Sequence, residues 1–144
     1  MNVSNASKYV EDHGINATYQ RAAIYSYLHK KKNHPTADII FNDLKKKVPT
    51  LSKATVYNTM EYFHKNNIVQ VLTFEDGVRH YDAETKTHIH FNCKQCGIIY
   101  DFHTNIDFNN INGIDGFDIN KQFINFEGIC KNCKMENENE NMDL

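Results

Sequence analysis

All four cysteines of the chain fall in two Cys-x-x-Cys pairs, Cys93 with Cys96 and Cys130 with Cys133. Two residues between paired thiolates let one tight turn offer both sulfurs to a single ion, and four such sulfurs complete the tetrahedral shell of a structural Zn2+. A harder set of donors lies beside them. His88 and His90 alternate on what reads as one strand, so both imidazoles face the same side. Asp82 stands before them, Asp101 follows the first cysteine pair, and His34 lies far upstream. Thiolate sites and imidazole-carboxylate sites favour different metals and different work. By itself His34 reads rather as a helix-opening residue, because His-Pro-Thr makes a serviceable N-terminal turn.

The elements that must position these groups can be read from caps and periodicity. Thr18 caps a helix with Ile24, Tyr27 and Leu28 at i, i+3, i+4, ending in a lysine run. Pro35 and Thr36 open a second, with Ile40 and Leu44 four apart and Lys45, Lys46 and Lys47 closing it before Pro49. Ser52 caps a third, whose Val56, Met60 and Phe63 share a buried face, leaving Lys53, Tyr57, Asn58 and Lys65 outward. Residues 69–74 then alternate, Glu75, Asp76 and Gly77 make a turn, and residues 78–81 return. A helix-turn-helix with a β-hairpin wing is the expected DNA-binding unit. On its recognition helix, Tyr57 flanked by Thr55 and Asn58 can reach thymine methyls and base edges, with Lys53 meeting phosphate and Ser52 capping.

The polar stretch 82–87 reads as a hinge. After it come strands, 88–93 and 97–102 across the first cysteine turn and 118–128 into the second, linked by a short helix around 105–111. The expected fold is α+β: a winged-helix domain over 1–81 and an α/β dimerisation domain over 88–134. From residue 135 the chain is acidic and Asn-rich with little to bury, so 135–144 is expected to be a disordered tail.

The net charge of −2 divides unevenly, +4 over residues 1–80 and −6 over 81–144. A basic half joined to an acidic half points to one half meeting a polyanion. No leader pattern and no apolar run of membrane-spanning length is visible, so the expectation is a cytoplasmic protein without membrane contact. In a reducing compartment paired cysteines are more often metal ligands than disulfides. His13, His29, His64, His80 and His103 read as surface or structural residues.

In order along the chain, QRAAI after a capping Thr, HPTADIIF, SKATVYNTM, RHYD, HIHFNCKQCG and GICKNC resemble the ferric uptake regulator family of metal-dependent repressors, over roughly residues 8–134. The aspartate of YDF is similar to the family's peroxide-sensing branch, since iron-sensing relatives usually carry glutamate there. That resemblance implies a regulatory Fe2+ or Mn2+ held by His34, Asp82, His88, His90 and Asp101, with His34 or His88 as the residue oxidised by peroxide. It also implies a homodimer on palindromic double-stranded DNA. A sensor consumed by its own reaction is not an enzyme. Two other functions fit parts of the pattern. One is a repressor of the same fold that reads iron, manganese or zinc availability without peroxide chemistry. The other is a metal-dependent oxygenase or hydrolase, against which the helix-turn-helix and the basic half argue.

Overall fold

Each helix of the N-terminal half starts on a side chain that satisfies a backbone N–H left open by its own first turn. In the computed structural model, which describes residues 1–105 and 107–142, Asn2 accepts from the Asn5 N–H at 2.8 Å at the head of α1 (Val3–Asp12). Thr18 caps α2 (Tyr19–Lys31), Thr36 caps α3 (Ala37–Leu44) and Ser52 caps α4 (Lys53–Lys65) in the same way. The buried positions of α3, namely Ala37, Ile40 and Leu44, and of α4, namely Val56, Thr59, Met60 and Phe63, follow helical spacing. In α2 burial runs unbroken from Ala22 through Leu28, so this helix is the centre of the unit rather than a one-sided surface helix.

The helix α1 was not expected from the sequence, where the first helix begins after Thr18. Only Ala6 and Val10, four apart, are buried in it, too short a stripe to stand out. They pack on α2, and Tyr9 stacks on Tyr25 with ring centroids 4.8 Å apart. Tyr25 in turn meets Phe63 edge-on at 5.8 Å, which ties α2 to α4. Phe63 has no exposed surface, and cutting it to Ala would cost about 3–5 kcal/mol.

A two-stranded antiparallel hairpin, β1 (Gln70–Thr73) and β2 (Arg79–Asp82), completes the first unit, which ends at Thr85. Its turn needs the left-handed φ of +73° that Gly77 supplies, and the Gly77 N–H closes on the Phe74 carbonyl at 3.0 Å. Helices α3 and α4 with this hairpin form the winged helix-turn-helix.

The second unit starts at Lys86 and is built on a three-stranded sheet in the order β4-β3-β5. Strands β3 (Ile89–Cys93) and β4 (Ile99–Phe102) are antiparallel, whereas β3 and β5 (Ile124–Gly128) are parallel. The chain is therefore α+β throughout. The parallel pair requires a crossover, and the described residues between 103 and 123 have little regular structure. A helix expected around 105–111 is reduced to one 3-10 turn, Phe108–Asn110, while Ile106 lies outside the described residues. Asn and Asp side chains compete for backbone hydrogen bonds there, and Gly113 and Gly116 both take positive φ. The last strand also begins later than the 118 expected.

The acidic tail differs most. Residues 131–142 form a helix, α5 (Lys131–Met142), where disorder was expected from residue 135. The helix is seeded by the second cysteine pair, and Glu and Met are good helix formers. A reciprocal amide pair, Gln95 with Asn137 at 3.1 Å each way, fastens its middle to the first cysteine turn. Asp143 and Leu144 lie outside the described residues.

Candidate metal centres

The four cysteines meet because of sheet register. Strand β3 delivers Cys93 opposite Gly128 of β5, two residues before Cys130. The turn after Cys93 is closed by the Gly97 N–H on the Cys93 carbonyl at 2.8 Å, which returns Cys96 towards Cys93. Cys130 precedes α5, and Cys133 sits in its first turn. The Sγ atoms of Cys93 and Cys133 are 3.9 Å apart, as are those of Cys96 and Cys130. A tetrahedron of sulfurs about 2.3 Å from a zinc ion has edges of about 3.8 Å, whereas a disulfide needs about 2.05 Å. The spacing fits one ion and no disulfide. Cys93, Cys130 and Cys133 are buried and Cys96 is exposed.

Electrostatics within this knuckle also ask for a cation. Backbone N–H groups of Cys96 and Cys130 bring the Cys93 thiol down to about 6. Burial pushes Cys133 up to about 12. Four thiolates therefore cannot coexist at neutral pH without a compensating positive charge. Tyr100, from β4, sits beside Cys130, and that sulfur together with burial holds the phenol up at about 12. Sequence reading missed Tyr100; its signal was its position one residue before Asp101, an alternating neighbour on the opposite face of the strand.

The histidines and aspartates form two groups, one in each unit. In the first unit His34 lies in the turn between α2 and α3 at φ 50°. Its carbonyl accepts from His80 Nδ1–H at 2.8 Å, and the next carbonyl, of Pro35, accepts from the Tyr81 N–H at 3.0 Å. Both bonds lash this turn to β2, whose last residue is Asp82. Asp82 Oδ1 accepts from the Glu84 N–H at 2.8 Å, and Oδ2 lies 3.4 Å from His34 Nε2. Both side chains are buried.

In the second unit His90 and Asp101 are register partners across β3 and β4, and His88 lies two residues before His90. One oxygen, Asp101 Oδ1, is 3.5 Å from His88 Nε2 and 3.6 Å from His90 Nε2. Donors about 2.1 Å from a common ion lie about 3–3.5 Å from one another. His88 donates Nδ1–H to the Lys86 carbonyl at 2.7 Å, and since a carbonyl only accepts, this fixes the tautomer that leaves Nε2 as the ligating lone pair. Two imidazoles and a carboxylate on one face suit a divalent ion such as Fe2+ or Mn2+. The donor set fits.

On the recognition helix α4, Tyr57 is 48% exposed and Lys53 and Asn58 are exposed beside it. Thr55 is half-buried, its hydroxyl 2.8 Å from the capping Ser52 Oγ. Lys53 Nζ pairs with Asp38 of α3 at 3.2 Å. Arg79 of the wing pairs with Glu61 of α4 at 3.3 Å, joining wing to helix.

Among known proteins, the peroxide-responsive repressor PerR of Staphylococcus epidermidis is 38% identical over 130 residues, which is 85% of this chain and 84% of that protein. The peroxide operon regulator of Bacillus subtilis is 34% identical over 143 residues, 94% of this chain and 96% of its own. The solved ferric uptake regulator Fur of Helicobacter pylori, described as having three functional metal binding sites, shares the fold with a TM-score of 0.73 at 20% identity, over 93% of this chain and 95% of that one. The sequence profile of the ferric uptake regulator family matches residues 12–127, and the chain belongs to that family.

Proposed function

We propose that the chain is a metal-dependent transcriptional repressor that binds DNA as a dimer and responds to hydrogen peroxide. Peroxide-responsive relatives at 34% and 38% identity over most of the chain support the class. The residue assignments are our reading: Cys93, Cys96, Cys130 and Cys133 hold a structural Zn2+, and His34, Asp82, His88, His90 and Asp101 share one regulatory Fe2+ or Mn2+.

The observation that carries the switch is the division of the harder donors. His34 and Asp82 offer two in the first unit, while His88, His90 and Asp101 offer three in the second. Neither group fills the five or six positions such an ion prefers, and one ion taking both would couple the DNA-binding unit to the other. Linkage then requires that metal bind more tightly in the presence of operator. With Fe2+ bound, the ion would supply the reduction of peroxide and direct oxidation to an adjacent ligand imidazole, His34 or His88. Loss of that ligand would release DNA and derepress the genes below it.

For the DNA, Tyr57 and Asn58 would address base edges, Thr55 and the Ser52 cap would set the helix start, and Lys53 would meet phosphate. A dimer would place two copies of α4 in successive major grooves of a palindrome. Strand β5 is an edge strand of the sheet, and Phe126, Phe123 and Ile129 at or near it expose about half their surface, 54%, 58% and 44%. Their exposure on an edge strand, which a second copy would cover, supports the dimer reading. Among the described residues no helix is long and apolar enough to cross a membrane. A cytoplasmic site of action is part of the proposal. The test is mass spectrometry of Fe2+-loaded protein after a short peroxide pulse, together with operator binding. One added oxygen on the peptide carrying His34 or His88, with loss of DNA binding, is expected; unchanged protein that still binds DNA would reduce the reading to a metal-availability repressor.

A further inference from the structure

Outside the five assigned ligands, one more imidazole packs against the metal site of the second unit. His103 follows β4 and lies with its ring 5.0 Å from that of His88 at an interplanar angle of 11°, a near-parallel stack. His88 is buried, its Nδ1–H fixed on the Lys86 carbonyl, and His90 lies 4.2 Å away at 56°. The hydrogen bond to Lys86 sets the tautomer and the in-plane direction of Nε2. The plane of the ring is then set by what packs on its faces. His90 meets it at a tilt, whereas His103 lies nearly parallel to it. His103 itself is exposed, so its packing on His88 is not accounted for by burial in a core.

We propose that His103 is a positioning residue for the regulatory metal: its ring lies flat on His88 and holds the His88 Nε2 lone pair on the ion. The proposal rests on the metal assignment above. It gives His103 a role through ring contact, without ligation and without a proton.

The test uses the zinc-loaded full chain and measures Mn2+ affinity by competition with a chelator, with Mn2+ electron paramagnetic resonance reporting its environment. Four proteins are compared: the parent, His90→Ala, His103→Ala and His103→Phe. Aromatic stacking of ordinary strength converts to about a three- to tenfold change in affinity. His103→Ala is expected to weaken Mn2+ by about that factor, with zinc content and thermal unfolding of the zinc-loaded, Mn2+-free form unchanged. His103→Phe, which keeps a flat ring and lacks any nitrogen, is expected to restore affinity to within about twofold of the parent. If His103→Phe is as weak as His103→Ala, the imidazole nitrogen matters and the positioning role is wrong. An unchanged affinity in His103→Ala also overturns it. His90→Ala separates the two levels of the argument. Should the parent fail to bind Mn2+, or His90→Ala bind it as the parent does, the metal assignment itself fails and this proposal with it.

Discussion

The backbone N–H of Tyr81 donates to the carbonyl of Pro35 at 3.0 Å, so the first residue after His34 is hydrogen-bonded to the residue before Asp82. Two side chains 48 positions apart in sequence are thereby brought together by main-chain geometry as well as by their own 3.4 Å approach. The same turn carries a conformational cost, because His34 adopts φ 50°, where an L side chain is disfavoured.

Replacing His34 should therefore separate conformation from ligation. His34→Gly and His34→Ala both lose the imidazole and should both lose metal-dependent operator binding. Glycine relieves the left-handed backbone whereas alanine does not, so His34→Gly should be more stable than His34→Ala by about 1 kcal/mol. Urea unfolding of the metal-free variants reads the difference. Equal stabilities would mean that the turn relaxes out of its left-handed conformation once the histidine is gone.

The cysteine knuckle makes a pH-dependent prediction. With Cys93 lowered to about 6 and Cys133 raised to about 12, an empty knuckle at pH 7 holds a thiolate at the first and a thiol at the second. Cys96 is raised as well and Cys130 is lowered. Zinc uptake at neutral pH should displace the protons of Cys96 and Cys133, and below pH 6 it should displace that of Cys93 as well. Zinc affinity therefore falls with decreasing pH, and falls more steeply below pH 6. Chelator competition across pH 5 to 8 gives this slope directly; a slope that stays constant would contradict the assignment of Cys93.

Removing a knuckle ligand should be far more damaging than removing its hydrogen-bond partner. Cys93→Ser or Cys130→Ser should abolish zinc retention and folding of the second unit, since structural zinc contributes on the order of 10 kcal/mol in small modules. Tyr100→Phe keeps all four sulfurs and loses only the hydroxyl beside Cys130. It should fold, with zinc affinity lowered about 10–100-fold. A stable Cys93→Ser protein with full zinc would refute the structural role.

How much of this was legible beforehand depended on whether a signal was local. Caps at Thr18, Thr36 and Ser52, the spacing of Val56, Met60 and Phe63, and the two cysteine pairs are short-range patterns, and the structure has them. The alternation of His88 and His90 placed them on one side and Asp101 could be grouped with them, but its register with His90 belongs to strand pairing and leaves no local signal. Helix α1 was missed because two buried residues make too faint a stripe. Helix α5 was missed because composition argues for disorder while the cysteine knuckle, a long-range constraint, nucleates it. The stack of His103 on His88 leaves no sequence pattern at all.

If Lys53 meets phosphate as proposed, its pair with Asp38 at 3.2 Å competes with DNA, because the lysine must first leave its carboxylate. Both side chains are more than half exposed, 60% and 54%, so the pair adds little to stability. Asp38→Asn should leave thermal unfolding nearly unchanged while raising operator affinity about two- to fivefold at low salt, by removing a competitor and a negative charge. Lys53→Ala should weaken binding and lower the salt slope by about one unit. Fluorescence anisotropy against salt concentration distinguishes the two. If Asp38→Asn weakens DNA binding instead, Asp38 is orienting Lys53 for phosphate and competition is the wrong description.

Asp101 carries the sharpest consequence for peroxide. Its Oδ1 is nearly equidistant from two ring nitrogens, 3.5 Å from His88 and 3.6 Å from His90, and it stands in register with His90 on a rigid antiparallel pair. Glutamate at this position keeps the charge and the donor type but adds a methylene, so the carboxylate reaches about 1.5 Å further along its own chain. The imidazoles, set by the sheet and by the Lys86 carbonyl, do not retreat with it. If Asp101 holds the ion as proposed, the longer carboxylate would have to meet it in a different orientation, and the reactivity the ion supplies towards peroxide would change. We therefore expect Asp101→Glu to retain metal-dependent operator binding, with Mn2+ affinity within about tenfold of the parent. Oxidation of His34 or His88 in the Fe2+ form should be blunted. With Mn2+ both proteins should keep DNA binding through a peroxide pulse, because manganese supports this chemistry poorly. The measurement is operator binding before and after the pulse for each protein with each metal, with peptide mass spectrometry for added oxygen. If the Fe2+ forms of parent and Asp101→Glu lose DNA at the same rate with equal histidine oxidation, carboxylate reach does not govern reactivity. If the parent survives the pulse unoxidised, peroxide sensing is wrong for this chain and metal availability is the signal it reads.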